Sequence, residues 1–137
     1  ANFFDLVFAI GVFYYTPNTQ KAIDETFRVL KPDGKTIAMF YNKYSWYVLL
    51  AKVSGTNLDH EEKDPPISKL YSVKQVRKMF KKFSIVDIIM NRFPFKTVKR
   101  SGSSVKLYNY AFVPFTKVIP KTIMQPFGFH IIVKATK

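Results

Sequence analysis

Cysteine is absent from the 137 residues, so neither a disulfide framework nor a thiolate metal site can be built. The two histidines, His60 and His130, have no second ligand at metal spacing and suggest no zinc site. The five glycines are scattered. No Gly-x-Gly and no Gly-x-x-x-x-Gly-Lys occurs, so a phosphate-cradling loop is missing. No apolar run approaches the length of a membrane span, and the first residues lack the charged-then-apolar pattern of a leader. Internal repeats and low-complexity tracts are missing too. These absences set the expectation of a soluble, cytoplasmic protein.

What is present is apolar and basic. Hydrophobic residues make up 47% of the chain and aromatics 17%, which excludes a disordered polymer, and the length suffices for one domain with a core. The net charge of +13 is unevenly placed. Residues 59–68 are acidic, with Asp59, Glu61, Glu62 and Asp64 against Lys63, whereas residues 69–121 hold thirteen Lys or Arg and one acid, Asp87. Such a field either decorates solvated faces or attracts an anionic substrate, nucleic acid or membrane surface.

The pattern alternates strand and helix. Phe3 to Ala9 reads as a buried strand, apolar on both faces, as strands of parallel sheets are. Thr16-Pro17 or Asn18 caps the next helix. Its apolar stripe is Ala22, Ile23, Thr26, Phe27 and Leu30. Lys31-Pro32-Asp33-Gly34 ends it, with Gly34 free to take positive φ. Thr36 to Tyr41 is the second strand, and a right-handed parallel crossover follows. Tyr44 to Val53 reads as a short apolar helix. Ser72 and Gln75 form a capping-box pattern opening helix 73–82, apolar on Val73, Val76, Met79, Phe80 and Phe83 and basic opposite. Ser84 to Met90 is a third strand. Residues 91–126 read as irregular, with a short helix around 105–113, and Phe127 to Thr136 is the last strand.

The order Asp5-Leu6-Val7 … Gly11-Val12 … Thr16-Pro17 … Ala22-Ile23-Asp24-Glu25 … Arg28-Val29-Leu30-Lys31-Pro32-x-Gly34-Lys35 resembles the second half of the class I S-adenosylmethionine-dependent methyltransferases. The capped helix and strand over 72–90 and the Gly-aromatic-His-apolar end at Phe127–Lys137 continue the likeness. It implies an α/β fold: the C-terminal half of a Rossmann-like methyltransferase sheet, strands 4, 5, 6 and 7 with strand 7 antiparallel between 5 and 6, and the N-terminal half absent. Residues 1–137 are then one partial domain, and 43–70 and 91–126 are substrate-covering insertions.

The likeness also implies S-adenosylmethionine as cofactor. Ligands of open α/β sheets lie at strand carboxyl ends, here Ala9, Ile10, Gly11 and Val12, with Tyr15 beside them. Gly11 leaves room for close approach, and Ile10 and Val12 offer apolar contact to a flat base. Tyr14 and Tyr15 stand where many relatives carry histidine. Tyrosine orients a substrate but is a poor base near neutral pH. Tyr14, Tyr41, Asn42, Trp46 and His60 are the substrate-side candidates, and no catalytic residue is nominated. The activity implied is methyl transfer to a small-molecule or lipid-like acceptor by a fragment inactive alone. Two other readings stay open: a basic, aromatic-rich nucleic-acid-binding module, and a non-catalytic half that pairs with another chain. As partners, the sequence favours a substrate, a peripheral anionic membrane contact, and a dimer or partner chain covering the edge of the first strand.

Overall fold

A computed structural model describes residues 2–54, 69–91, 106 and 108–137. Strand β1 (Phe4–Ala9) leads through a 3-10 turn (Phe13–Tyr15) into helix α1 (Thr19–Val29) and strand β2 (Leu30–Asn42). Helix α2 (Trp46–Ser54), the two-residue strand β3 (Leu70–Tyr71), helix α3 (Val73–Met79) and strand β4 (Ile85–Asn91) follow. A π-helical turn (Tyr108–Phe112) runs into helix α4 (Val113–Val118), then α5 (Lys121–Met124), a 3-10 turn (Gln125–Phe127) and strand β5 (His130–Thr136).

The sheet order is β1-β2-β5-β4, with β3 attached to the end of β2. β1 and β2 are parallel, while β5 runs antiparallel to both β2 and β4. That is the arrangement the resemblance implies, with the last strand inserted between the second and third long ones. β3 pairs with Tyr41 and Asn42, beyond the point where β1 ends opposite Ala38.

Local chemistry explains the elements. Asn18 caps α1, its side chain accepting from the Lys21 amide at 3.0 Å, which satisfies one orphan donor of the first turn. Ser72 and Gln75 complete the capping box on α3, each side chain answering the other's backbone N–H. The α1 and α3 faces meet one side of the sheet, where Ile23, Leu30, Ala38, Phe40, Val76 and Phe80 are fully buried in one cluster. Phe40 meets Phe80 edge-on at 6.0 Å, and Phe27 meets Phe83 likewise at 5.1 Å.

The structure departs from the sequence pattern in four places. The residue with positive φ in the Lys31–Gly34 turn is Asp33, at 61°. Gly34 is required for space instead: a Cβ there would stand 2.8 Å from the Lys31 carbonyl oxygen and 3.1 Å from that of Phe4. The turn sits inside a continuous β2, taken up by a register shift between Phe4 and Leu6. Helix α3 stops at Met79 rather than at residue 82, because Phe80 leaves the helical region with ψ 15°. Residues 113–118 and 121–124 are helical where irregular chain was expected. Pro114 lies in the first turn of α4, a position that tolerates it, so that proline starts an element rather than breaking one.

The fourth departure concerns β1, which is not buried on both faces. Phe4, Leu6 and Phe8 are 53%, 54% and 66% exposed, and Ile85 and Ile89 of β4 are exposed on the same side of the sheet. Phe8 lies beside Ile37, Ile37 beside Lys134, and Lys134 beside Asp87. This row of one sheet face is open at its β1 and β4 ends. Among the described residues no helix is long and apolar enough to cross a membrane.

Candidate active site at the carboxyl ends of the first two strands

β1 ends at Ala9, which is 5% exposed, and the chain turns on Gly11 with φ +75°. That conformation costs a non-glycine residue about 1–2 kcal/mol. Ile10 and Val12 flank the glycine with 39% and 49% exposure. Two accessible apolar side chains therefore bracket a half-buried glycine.

The next turn is pinned by one acceptor. The Phe13 carbonyl accepts from the Thr16 amide at 3.3 Å, the Thr16 hydroxyl at 2.7 Å and the Thr19 hydroxyl at 3.0 Å. With the Thr19 proton spent there, the Tyr71 hydroxyl donates to Thr19 at 2.8 Å. Lys69 closes the outside, its ammonium donating to the Thr16 carbonyl at 2.6 Å and the Pro17 carbonyl at 3.1 Å.

This scaffold delivers Tyr14 to Tyr41. The Tyr14 hydroxyl donates to that of Tyr41 at 3.1 Å, and the rings lie 4.5 Å apart. Tyr15 stacks obliquely on Tyr14 at 4.5 Å and is 39% exposed. Burial, then the hydrogen bond to Tyr41, push the Tyr14 phenol well above the usual tyrosine range. Tyr14 is therefore a fixed proton donor, never a base at physiological pH.

Phe129 stacks on Tyr41 at 4.6 Å, His130 lies 5.6 Å from it, and Tyr47 packs on Phe129 at 4.6 Å. In the sequence, Phe129 and His130 stood only as residues of the last strand, with no part in the site. The signal lay in strand direction: an antiparallel last strand begins where β2 ends, so its first residues join the same cluster.

Asn42 is placed differently from Tyr41. It is 1% exposed and donates to the Pro126 and Gly128 carbonyls at 3.2 and 2.9 Å, while its oxygen accepts from the Tyr44 amide at 3.1 Å. Its amide is committed to tying the β5 approach to β2. Trp46 lies between Phe112 and Phe127, at 5.6 Å from each. It lines a cavity of about 330 Å³ with Tyr44, Val48, Leu49 and Phe127, rimmed by Lys43 and Lys52. The structure thus brings Tyr14, Tyr15 and Tyr41 together, and sets Trp46 at a separate apolar cavity beyond β2. His60 lies outside the described residues, as do parts of 43–70 and 91–126.

Phe80 and Phe83, on the apolar face expected of the 73–82 helix, are core residues at 0% and 6% exposure. Among the described residues no group of three or more His, Asp or Glu is placed to hold a metal ion.

With its last strand inserted antiparallel, the chain has a Rossmann-like α/β fold similar to that of S-adenosylmethionine-dependent methyltransferases. Residues 1–38 match the family model described as a methyltransferase domain. Among solved structures, the chain is similar to a methyltransferase of Thermotoga maritima described as a possible histamine N-methyltransferase, with TM-score 0.61 and 14% identity. It is also similar to an Archaeoglobus fulgidus methyltransferase, with TM-score 0.55 and 14% identity. A third is a Haloferax volcanii putative methyltransferase in complex with the Trm112 methyltransferase activator, with TM-score 0.51 and 14% identity. The likeness covers 99%, 99% and 98% of this chain but only 57%, 60% and 54% of those proteins. No curated protein matches the sequence.

Proposed function

We propose that this chain forms the back half of an S-adenosylmethionine-dependent methyltransferase acting on a small-molecule or lipid-like acceptor. The observation that carries the reading is the Ile10–Gly11–Val12 turn at the carboxyl end of β1, with φ +75° at Gly11 and exposed apolar side chains on both sides. These residues fit the apolar and backbone contacts of an adenosyl group, with Ala9 as the floor and Tyr15 as an accessible wall. The cofactor supplies an electrophilic methyl group. No carboxylate occurs between Asp5 and Asp24, so the turn itself offers none to ribose hydroxyls. A front half carrying a glycine-rich loop provides the remaining contacts in this reading, and the chain alone is inactive.

The chain's own contribution is orientation. Tyr14 holds the Tyr41 hydroxyl by donating to it, which leaves the Tyr41 proton free to meet an acceptor oxygen or nitrogen. In-line displacement demands alignment more than acid–base power, and the cluster of Tyr14, Tyr41 and Phe129 is a packed, rigid platform for it. Trp46 and the cavity beside it are the acceptor-side wall. The exposed apolar face and free edge of β1 support a second chain, or a second copy, covering the first strand. An anionic membrane surface is a further partner of the basic half.

Photo-crosslinking with radiolabelled S-adenosylmethionine tests the cofactor reading. Label should map to the peptide containing Ile10–Tyr15 and be displaced by S-adenosylhomocysteine. Label spread over the chain without displacement would overturn it.

A further inference from the structure

Helix α4 is turned the wrong way for a water-soluble surface. Val113 and Thr116, one turn apart, are 2% and 1% exposed and hold the helix from behind. Phe115 and Val118, also one turn apart, face out with 60% and 82% exposure, and the exposed Lys117 stands between them. Tyr110 before the helix and Ile123 after it are 84% and 60% exposed. Met124, at 1% exposure, again anchors the inner side. Four large apolar side chains thus project from a short segment pinned from within, far more than scattered surface hydrophobics require.

The charge of the stretch that carries them has one sign. From Ile88 to Lys137 there are nine Lys or Arg and no Asp or Glu. Aromatic and aliphatic knobs in a segment whose charged residues are all basic are what an interfacial anchor on anionic lipid requires: apolar burial at the acyl boundary and attraction to the headgroups. Phe127, 41% exposed, ends the segment and walls the Trp46 cavity, so that cavity adjoins the same surface.

We infer that Tyr108–Phe127 is a docking element for an anionic lipid bilayer. Tyr110, Phe115, Val118 and Ile123 enter the interface, and Lys106 and Lys117 meet the headgroups. The inference does not depend on methyl transfer and is tested without cofactor.

The experiment is flotation of the full chain with mixed phosphatidylglycerol–phosphatidylcholine vesicles and with pure phosphatidylcholine vesicles, with Trp46, the single tryptophan, as fluorescence reporter. Binding to the mixed vesicles should exceed binding to the neutral ones. Phe115→Ser with Val118→Ser should weaken it about tenfold or more, and Lys117→Glu about tenfold. Both changes are at exposed positions, and circular dichroism should show the fold unchanged. Leu6→Ser with Phe8→Ser, on the open sheet face, should leave binding as it was. Hydrogen exchange on vesicles should protect 108–127 and spare 4–9. Equal binding to neutral vesicles, or loss through the Leu6 and Phe8 changes alone, would overturn the assignment. So would binding to a single-stranded oligonucleotide in place of vesicles, which would give the basic segment to nucleic acid.

Discussion

The Tyr14 hydroxyl donates a 3.1 Å hydrogen bond to the Tyr41 hydroxyl, across 27 residues and between the two parallel strands' carboxyl ends. Burial comes first among the causes that raise the Tyr14 phenol, and this bond second. A group whose folded pKa is raised gives stability that is complete below its unfolded value, about 10 for tyrosine, and that is lost as pH climbs through the folded value. The midpoint of urea unfolding should therefore fall above about pH 10, and Tyr14→Phe should flatten that fall. At neutral pH the same substitution should cost about 1 kcal/mol, for the lost bond.

The Asn42 side chain, 1% exposed, joins β2 to the entry of β5 by donating to the Pro126 and Gly128 carbonyls, and it accepts from the Tyr44 amide. Asn42→Ala leaves the Gly128 carbonyl and the Tyr44 amide without this partner. We expect a loss of about 2–3 kcal/mol in urea denaturation. Asn42→Asp should be at least as damaging, because a carboxylate replaces a donor against two carbonyl oxygens.

Thr36 is 0% exposed, and its hydroxyl has no hydrogen-bond partner among the described residues. Thr36→Val keeps the shape and removes a desolvated hydroxyl. Thermal unfolding should show unchanged stability or a gain of up to about 1 kcal/mol. A loss of that size or more would mean the hydroxyl is bonded in the folded protein.

Two glycines should respond differently to alanine. At Gly34 the new Cβ meets the carbonyl oxygens of Lys31 and Phe4 at 2.8 and 3.1 Å. Both are backbone atoms that cannot step aside, and we expect a cost of about 2 kcal/mol or more. At Gly11 the new Cβ meets only the Tyr14 hydroxyl, at 3.4 Å. The cost there is the strain of φ +75°, about 1–2 kcal/mol. Denaturation of the two variants side by side checks the order.

Leu6 and Phe8 on the open sheet face should drive self-association of the isolated chain. Light scattering should show species larger than a monomer, reduced by Leu6→Ser with Phe8→Ser. A monomeric native chain that unfolds cooperatively would remove the case for a covering partner.

What the sequence revealed was local. Asn18 before an apolar stripe and Ser72 with Gln75 mark the starts of α1 and α3 through contacts within four residues. The strand-end turn at Ile10–Val12 was legible for the same reason. Burial was not. A run such as Phe4–Ala9 is apolar on both faces, and only its neighbours decide that Ala9 is covered and Phe8 is not. The role of Asn42 depends on Pro126, 84 residues away, and that of His130 on the direction of β5. Pro114 lies in the stretch read as irregular, because proline's meaning depends on whether a helix begins or continues there.

The central claim is that the Ile10–Tyr15 turn receives S-adenosylmethionine. Titration of the isotope-labelled chain with S-adenosylhomocysteine, followed by NMR, tests it most directly because weak binding is still visible. The account predicts saturable shifts concentrated at Ile10, Gly11, Val12 and Tyr15, with a smaller response at Tyr41 and loss of all of them in Gly11→Val. Saturable shifts centred on another part of the sheet, or none at these residues in a folded chain, would contradict it.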